Sequence, residues 1–176
     1  MTLSHGQRRR SEAGFTLIEV VILIAAVGFV FAMLVLGIRQ AIGSFALRRA
    51  ASVTTVELRR AQAAAMAKGQ GFAYTVEFIG GTPGGIRIYE QNTTTPVRVI
   101  LPPDEWPATV TIDLSNAGTT LQNCSAPANT ANKCVTFQPL GYASQSGTVA
   151  IKGGTGTTVT YLISVAAATG KVSVTQ

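Results

Sequence analysis

Gly14-Phe15-Thr16-Leu17-Ile18-Glu19 opens a run, Val20–Ile38, that holds no charged side chain. A small residue precedes a large apolar one, and a lone carboxylate then stands at the edge of the apolar segment. A charge facing hydrocarbon costs ~2.5–3.5 kcal/mol on insertion scales, so a carboxylate at this depth needs a partner. Glu19 is therefore the first functional candidate; the alternative is a carboxylate that snorkels to the interface. Residues 15–38 are about long enough for a membrane helix, which needs ~20 residues. Gly28 and Gly37 are its weak points for helix propensity. Ahead of it, residues 1–14 are polar and basic, with Arg8, Arg9 and Arg10 against Glu12. In an ordinary secretory signal the apolar segment lies before the cut, whereas here it follows Gly14. The cation-rich leader predicts an N-in orientation by the positive-inside rule.

Residues 39–70 change to an amphipathic pattern. Leu47, Ala50, Thr54, Leu58, Ala61 and Ala65 recur at spacings of three and four, which marks one helical face. That face is small and mostly alanine, so it can approach another surface closely. Arg48, Arg49, Arg59 and Arg60 lie largely off the stripe. Glu57 and Arg60 have the i,i+3 spacing of a weak helical ion pair. No proline interrupts residues 15–68, so one long helix is expected, ended by Gly69-Gln70-Gly71.

From residue 71 to 176 the period becomes two. Phe72–Ile79, Ile86–Glu90, Val97–Leu101, Thr109–Leu114, Cys134–Phe137, Thr148–Lys152, Thr157–Ser164 and Lys171–Thr175 read as strands. Glycine-rich stretches at 80–85, 153–156 and 169–170 are turn signals between them. Pro102-Pro103-Asp104-Glu105-Trp106-Pro107 is a rigid loop, and Ser115–Lys133 is the longest irregular piece. The expected class is α+β, a long N-terminal helix packed through its C-terminal half on a two-layer antiparallel β head.

The net charge of +6 and the pI near 9.8 suggest an anionic partner at first sight. The distribution says otherwise. Beyond residue 70, Arg87, Arg98, Lys133, Lys152 and Lys171 balance Glu77, Glu90, Asp104, Glu105 and Asp113. The head is formally neutral, and the basicity belongs to leader and helix. The helix arginines suit a solvated face or anionic lipid headgroups better than nucleic acid. His5 is the one histidine, so a chain shorn of its leader has no histidine base. No metal-ligand cluster, cofactor motif or P-loop spacing occurs, and the chain does not read as an enzyme. Trp106 reads as a core or loop anchor rather than a ligand platform. Cys124 and Cys134, in an exported domain, read as a disulfide, the alternative being two unpaired thiols. A bridge closing so short a loop is worth roughly 2–3 kcal/mol in the chain-entropy model.

The hexapeptide and its apolar run resemble the class III signal of type IV pilins and type II secretion pseudopilins. Leu58-Arg59-Arg60-Ala61-Gln62-Ala63-Ala64-Ala65-Met66-Ala67 resembles the "ARxxA" helix segment of the GspH/FimT group of minor pseudopilins. Val135-Thr136-Phe137-Gln138-Pro139-Leu140-Gly141 looks like that group's "F-x-P-x-G" strand and turn. Val165–Val174, with Thr169-Gly170-Lys171-Val172, looks like its terminal "TG(R/K)V" hairpin. The resemblance implies a pilin-like fold and cleavage by a prepilin peptidase between Gly14 and Phe15, with N-methylation of Phe15. It implies that Glu19 meets the Phe15 amine of a neighbouring subunit. A buried carboxylate and a buried ammonium each cost several kcal/mol alone, and pairing offsets this. The implied partners are other pilins or pseudopilins, the inner-membrane assembly platform and membrane lipid.

The implied location is the bacterial inner membrane, single-pass, with the leader cytoplasmic and the head periplasmic, and then a filament in the periplasm or at the cell surface. The implied duty is to initiate or cap a filament for protein secretion or pilus assembly. The alternative is a DNA-binding minor pilin for natural transformation. Two departures from the pattern stand out. Pilin helices often carry proline about where Leu36 sits. DNA-uptake relatives carry G-R-x-R after the terminal turn, whereas Gly170-Lys171-Val172-Ser173 has one cation there, which leaves Lys171 as the possible DNA contact.

Overall fold

A computed structural model describes residues 16–91, 93–125, 128–153 and 159–176. Helix α1 spans Leu17–Lys68, and eight strands follow: β1 Tyr74–Ile79, β2 Gly85–Glu90, β3 Arg98–Ile100, β4 Thr111–Asp113, β5 Lys133–Phe137, β6 Gly147–Lys152, β7 Thr160–Val165 and β8 Val172–Thr175. Each expected strand is present. The first residues of the expected Thr157–Ser164 strand, 157 and 158, lie outside the described residues. The leader and the Gly14–Phe15 bond also lie outside them.

The chain forms two compact units that divide between Ile38 and Arg39. In the first, Leu17–Val35 has mean hydropathy 2.8 and is 0% buried, long and apolar enough to cross a membrane. In the second, the 52-residue helix ends at Lys68, and Gly69 then takes φ 78°. A side chain there would be strained, whereas glycine adopts this conformation without a Cβ penalty.

All six residues of the expected stripe are buried, with Leu47, Ala50, Thr54, Leu58, Ala61 and Ala65 at most 2% exposed. The Thr54 hydroxyl donates to the Ala50 carbonyl at 2.8 Å, so it brings no unpaired polar group inside. Leu47 and Leu58 contribute about 1.5–3 kcal/mol each by leaving water, while the alanines allow close approach of the strands.

The strands form two four-stranded antiparallel sheets, ordered β3-β2-β1-β5 and β4-β6-β7-β8. Sequence order does not show this partition, because β5 crosses back to pair with β1 while β4 joins β6. The sheets touch where the Gly81 N–H donates to the Ile112 carbonyl at 3.1 Å and the Gly84 N–H to the Val110 carbonyl at 3.1 Å. Gly84 is required there, since a Cβ would lie 2.7 Å from the Ile112 side chain and 2.9 Å from its backbone nitrogen. Val76, Phe78, Ile88 and Phe137 from one sheet meet Val149, Ile151, Ile163 and Val165 from the other around the helix stripe, forming one core. Trp106 is 0% exposed, and its indole N–H donates to the Val110 carbonyl at 3.1 Å, so it anchors the loop after β3.

Asp113 on β4 pairs with Lys152 on β6 at 2.6 Å. Lys152 first, and then Ser115, hold the Asp113 carboxyl below the usual carboxylate range. A carboxylate depressed by folding adds stability that is fully present above its unfolded pKa and is lost as pH falls through the folded value. Melting temperature should therefore drop below about pH 4. Asp113→Asn should flatten that drop in a thermal melt recorded across pH, while an unchanged slope would remove Asp113 as its source.

Candidate functional site

At the helix start, Thr16 acts as N-cap. Its hydroxyl accepts from the Glu19 N–H at 3.4 Å, and its carbonyl accepts from the same N–H at 3.1 Å. Thr16-Leu17-Ile18-Glu19 thus has the spacing of a capping box, and Glu19 stands in the first turn, where the helix dipole favours an anion. Glu19 is exposed, with no ion-pair partner among the described residues. Its neighbours Leu17 and Ile18 are 83% and 67% exposed, so an apolar surface surrounds a bare carboxylate. Of the processing residues, Gly14 and Phe15 lie outside the described residues.

Within the head, three stretches far apart in sequence meet at Gln62. Its side-chain amide donates to the Gly141 carbonyl at 2.6 Å and to the Thr169 carbonyl at 3.2 Å. Gly141 has φ 85° and Gly170 φ 61°. A Cβ on Gly170 would fall 2.2 Å from the Gly141 carbonyl oxygen and 2.4 Å from Gln62 Nε2. One amide therefore clasps the helix to the turn after β5 and to the β7–β8 hairpin. Lys171, next in that hairpin, is exposed. Sequence reading placed Leu58–Ala67, Val135–Gly141 and Val165–Val174 as separate segments, and only the fold joins them.

A second latch holds the proline-rich loop. Arg98 on β3 donates from Nε to Glu57 Oε1 at 2.9 Å and from a terminal nitrogen to Glu105 at 3.0 Å. Arg49 adds a bond to the Asp104 carbonyl at 3.1 Å. The expected Glu57–Arg60 pair is present but long, 3.9 Å, so Arg98 is Glu57's main partner. Arg49, expected on a solvated or lipid-facing side, is exposed and also binds the loop.

Cys124 and Cys134 form a disulfide. The loop it closes covers the outer side of β1. Glu77, which strand alternation would send to water, is 0% exposed there. Its carboxylate accepts from the Asn129 N–H at 2.9 Å, the Asn132 side-chain amide at 2.8 Å and the Tyr89 hydroxyl at 3.0 Å, with Arg87 at 3.7 Å. Burial, and then the bond to Glu77, raise the Tyr89 pKa. Tyr89, Cys124, Ala128 and Cys134 make a small separate cluster. Sequence reading missed Glu77, and the only signal was an acid amid Tyr74-Thr75-Val76-Glu77-Phe78-Ile79.

These arrangements are structural clasps. Among the described residues no group of three or more His, Cys, Asp or Glu side chains is placed to hold a metal ion, and the Glu105 carboxylate is taken up by Arg98. Apart from these clasps, the apolar helix Leu17–Val35 stands exposed with Glu19 in its first turn. No family model, curated protein or solved structure matches the chain.

Proposed function

We propose that this chain is a minor pilin or pseudopilin subunit that helps initiate or cap a filament serving protein secretion or pilus assembly. The observation that carries the reading is the exposed apolar helix Leu17–Val35 with a carboxylate in its first turn that has no ion-pair partner among the described residues. A carboxylate so placed gains most from a cation supplied by another apolar helix, because each charge alone is costly in hydrocarbon and the pair offsets that cost. In this reading the leader is cut after Gly14, the new Phe15 amine is methylated, and it meets Glu19 of a neighbouring subunit. The helix is a membrane anchor before assembly and a packing surface after it. The N-terminus lies in the cytoplasm and the head in the periplasm, and no catalysis is assigned to the chain.

The DNA-uptake reading has less support. Arg87, Arg98 and Lys152 in the head are engaged in ion pairs, and nucleic-acid affinity grows with the number of phosphates a protein neutralises.

The test is co-assembly. Glu19→Ala is expected to leave leader cleavage intact, as read by intact mass, and to reduce cross-linking to partner subunits in membranes by about tenfold or more, given a buried-pair loss of ~3–5 kcal/mol. Normal cross-linking by Glu19→Ala, or a leader retained in the presence of prepilin peptidase, would overturn the reading.

A further inference from the structure

Strand β8 is the last strand of its sheet, paired with β7 alone among the described residues. The Ala166 N–H donates to the Lys171 carbonyl at 3.0 Å, which sets the alternation of the ladder. With Val165 opposite Val172 and Ile163 opposite Val174, Ser173 and Thr175 turn their backbone groups toward β7. Val172 and Val174 then turn theirs outward, to the open edge. Beside this edge a groove of about 330 Å³ runs between the sheet and the helix. Its lining mixes the apolar Val56, Tyr161 and Val174 with the hydroxyl-bearing Ser52 and Thr55, and Arg48 and Arg59 stand on its helix wall. Neither arginine has a carboxylate partner among the described residues. They are eleven residues apart, about 16 Å along the helix.

We infer that this groove is a docking site for one added β-strand from another protein, an extended segment of small apolar residues flanked by carboxylates. The incoming backbone pairs with the outward N–H and C=O groups of Val172 and Val174, as in other strand additions. Its inward side chains lie on the Val56, Tyr161 and Val174 floor, and its carboxylates meet Arg48 and Arg59. Charge selects this occupant. A second copy of the chain offers no matching strand among the described residues, since its exposed Asp104–Glu105 pair sits in a proline-flanked loop bound to Arg49 and Arg98. Two arginines are also too few phosphate contacts for a nucleic-acid track. The inference is independent of the filament reading.

The test uses the full chain in detergent micelles and a labelled peptide, acetyl-Glu-Thr-Val-Thr-Val-Thr-Glu-amide. Saturable binding is expected, with slowed amide exchange at Val172 and Val174. Arg48→Glu with Arg59→Glu is expected to weaken binding about tenfold or more, and a peptide with Lys for both Glu to bind about tenfold weaker. Val174→Pro removes one outward N–H, a change that edge strands tolerate, and should abolish binding at an unaltered melting temperature. Should that variant unfold, the exchange measurement on the parent chain decides. Several results would overturn the proposal: no binding, equal binding by the charge-reversed chain, or unchanged exchange at Val172 and Val174. Displacement of the peptide by an equal concentration of single-stranded oligonucleotide would reassign the groove to nucleic acid. Peptide-free dimers that Val174→Pro dissociates would reassign it to a second copy.

Discussion

Glu77→Ala is expected to destabilise the head by about 3 kcal/mol, among the largest effects of any single polar substitution in this chain. The carboxylate is fully buried and takes two bonds from the disulfide loop, at Asn129 and Asn132, and one from Tyr89. Removing it leaves those donors facing each other across a cavity, and unsatisfied buried donors cost more than the bond itself contributes. Arg87 is half-exposed and can rehydrate, which keeps the loss below that of a stranded buried cation. Glu77→Gln retains an acceptor for the loop and should cost less. The loop is held twice, by this carboxylate and by the Cys124–Cys134 bridge, worth roughly 2–3 kcal/mol. Because both constrain one segment, their losses should not add. Denaturant melts of Glu77→Ala, Cys124→Ser with Cys134→Ser, and the combined variant would show this. A Glu77→Ala loss under about 1 kcal/mol, or strict additivity, would mean that Glu77 does not hold the loop.

Gly170→Ala is expected to cost about 3–4 kcal/mol through two separate effects. Alanine at φ 61° pays the left-handed penalty of ~1–2 kcal/mol. The new Cβ would also stand 2.2 Å from the Gly141 carbonyl and 2.4 Å from Gln62 Nε2. Those two atoms are bonded to each other at 2.6 Å, so neither can move without breaking the clasp, at about 1 kcal/mol per lost bond. Gln62→Ala alone should cost about 1–2 kcal/mol. Combined with Gly170→Ala it should cost less than the sum, because it deletes one clashing partner. Thermal melting of the three variants measures this. A Gly170→Ala variant as stable as the parent would show that the hairpin docks on the helix by other contacts.

The local elements were legible because each has a short period. The spacing of Leu47, Ala50, Thr54, Leu58, Ala61 and Ala65 repeats within one or two helical turns, and all six are buried as that spacing requires. The eight strands are short β-branched or aromatic runs, several of them bounded by glycine-rich turns, and glycine marks the end of α1. The cysteine pair could be read because ten residues separate the two thiols. The site residues were legible only in part. Glu19 showed itself as a carboxylate beside a charge-free run. Glu77 did not, since its alternation pointed to solvent and the covering loop comes from about fifty residues downstream. Gln62 looked like one polar residue in an alanine-rich helix, with nothing nearby to say that two loops would reach it.

The sequence by itself thus determined the order and type of the elements, the apolar span with its single carboxylate, the buried helix face and the neutral charge of the head. These follow from side-chain periodicity and composition, which the chain carries locally. Only the tertiary structure decided the split into two sheets, the burial of Glu77, the Gln62 clasp and the open edge of β8 beside Arg48 and Arg59. Each of these depends on which distant backbone edges pair, and that is settled by how one shared core closes rather than by any local pattern.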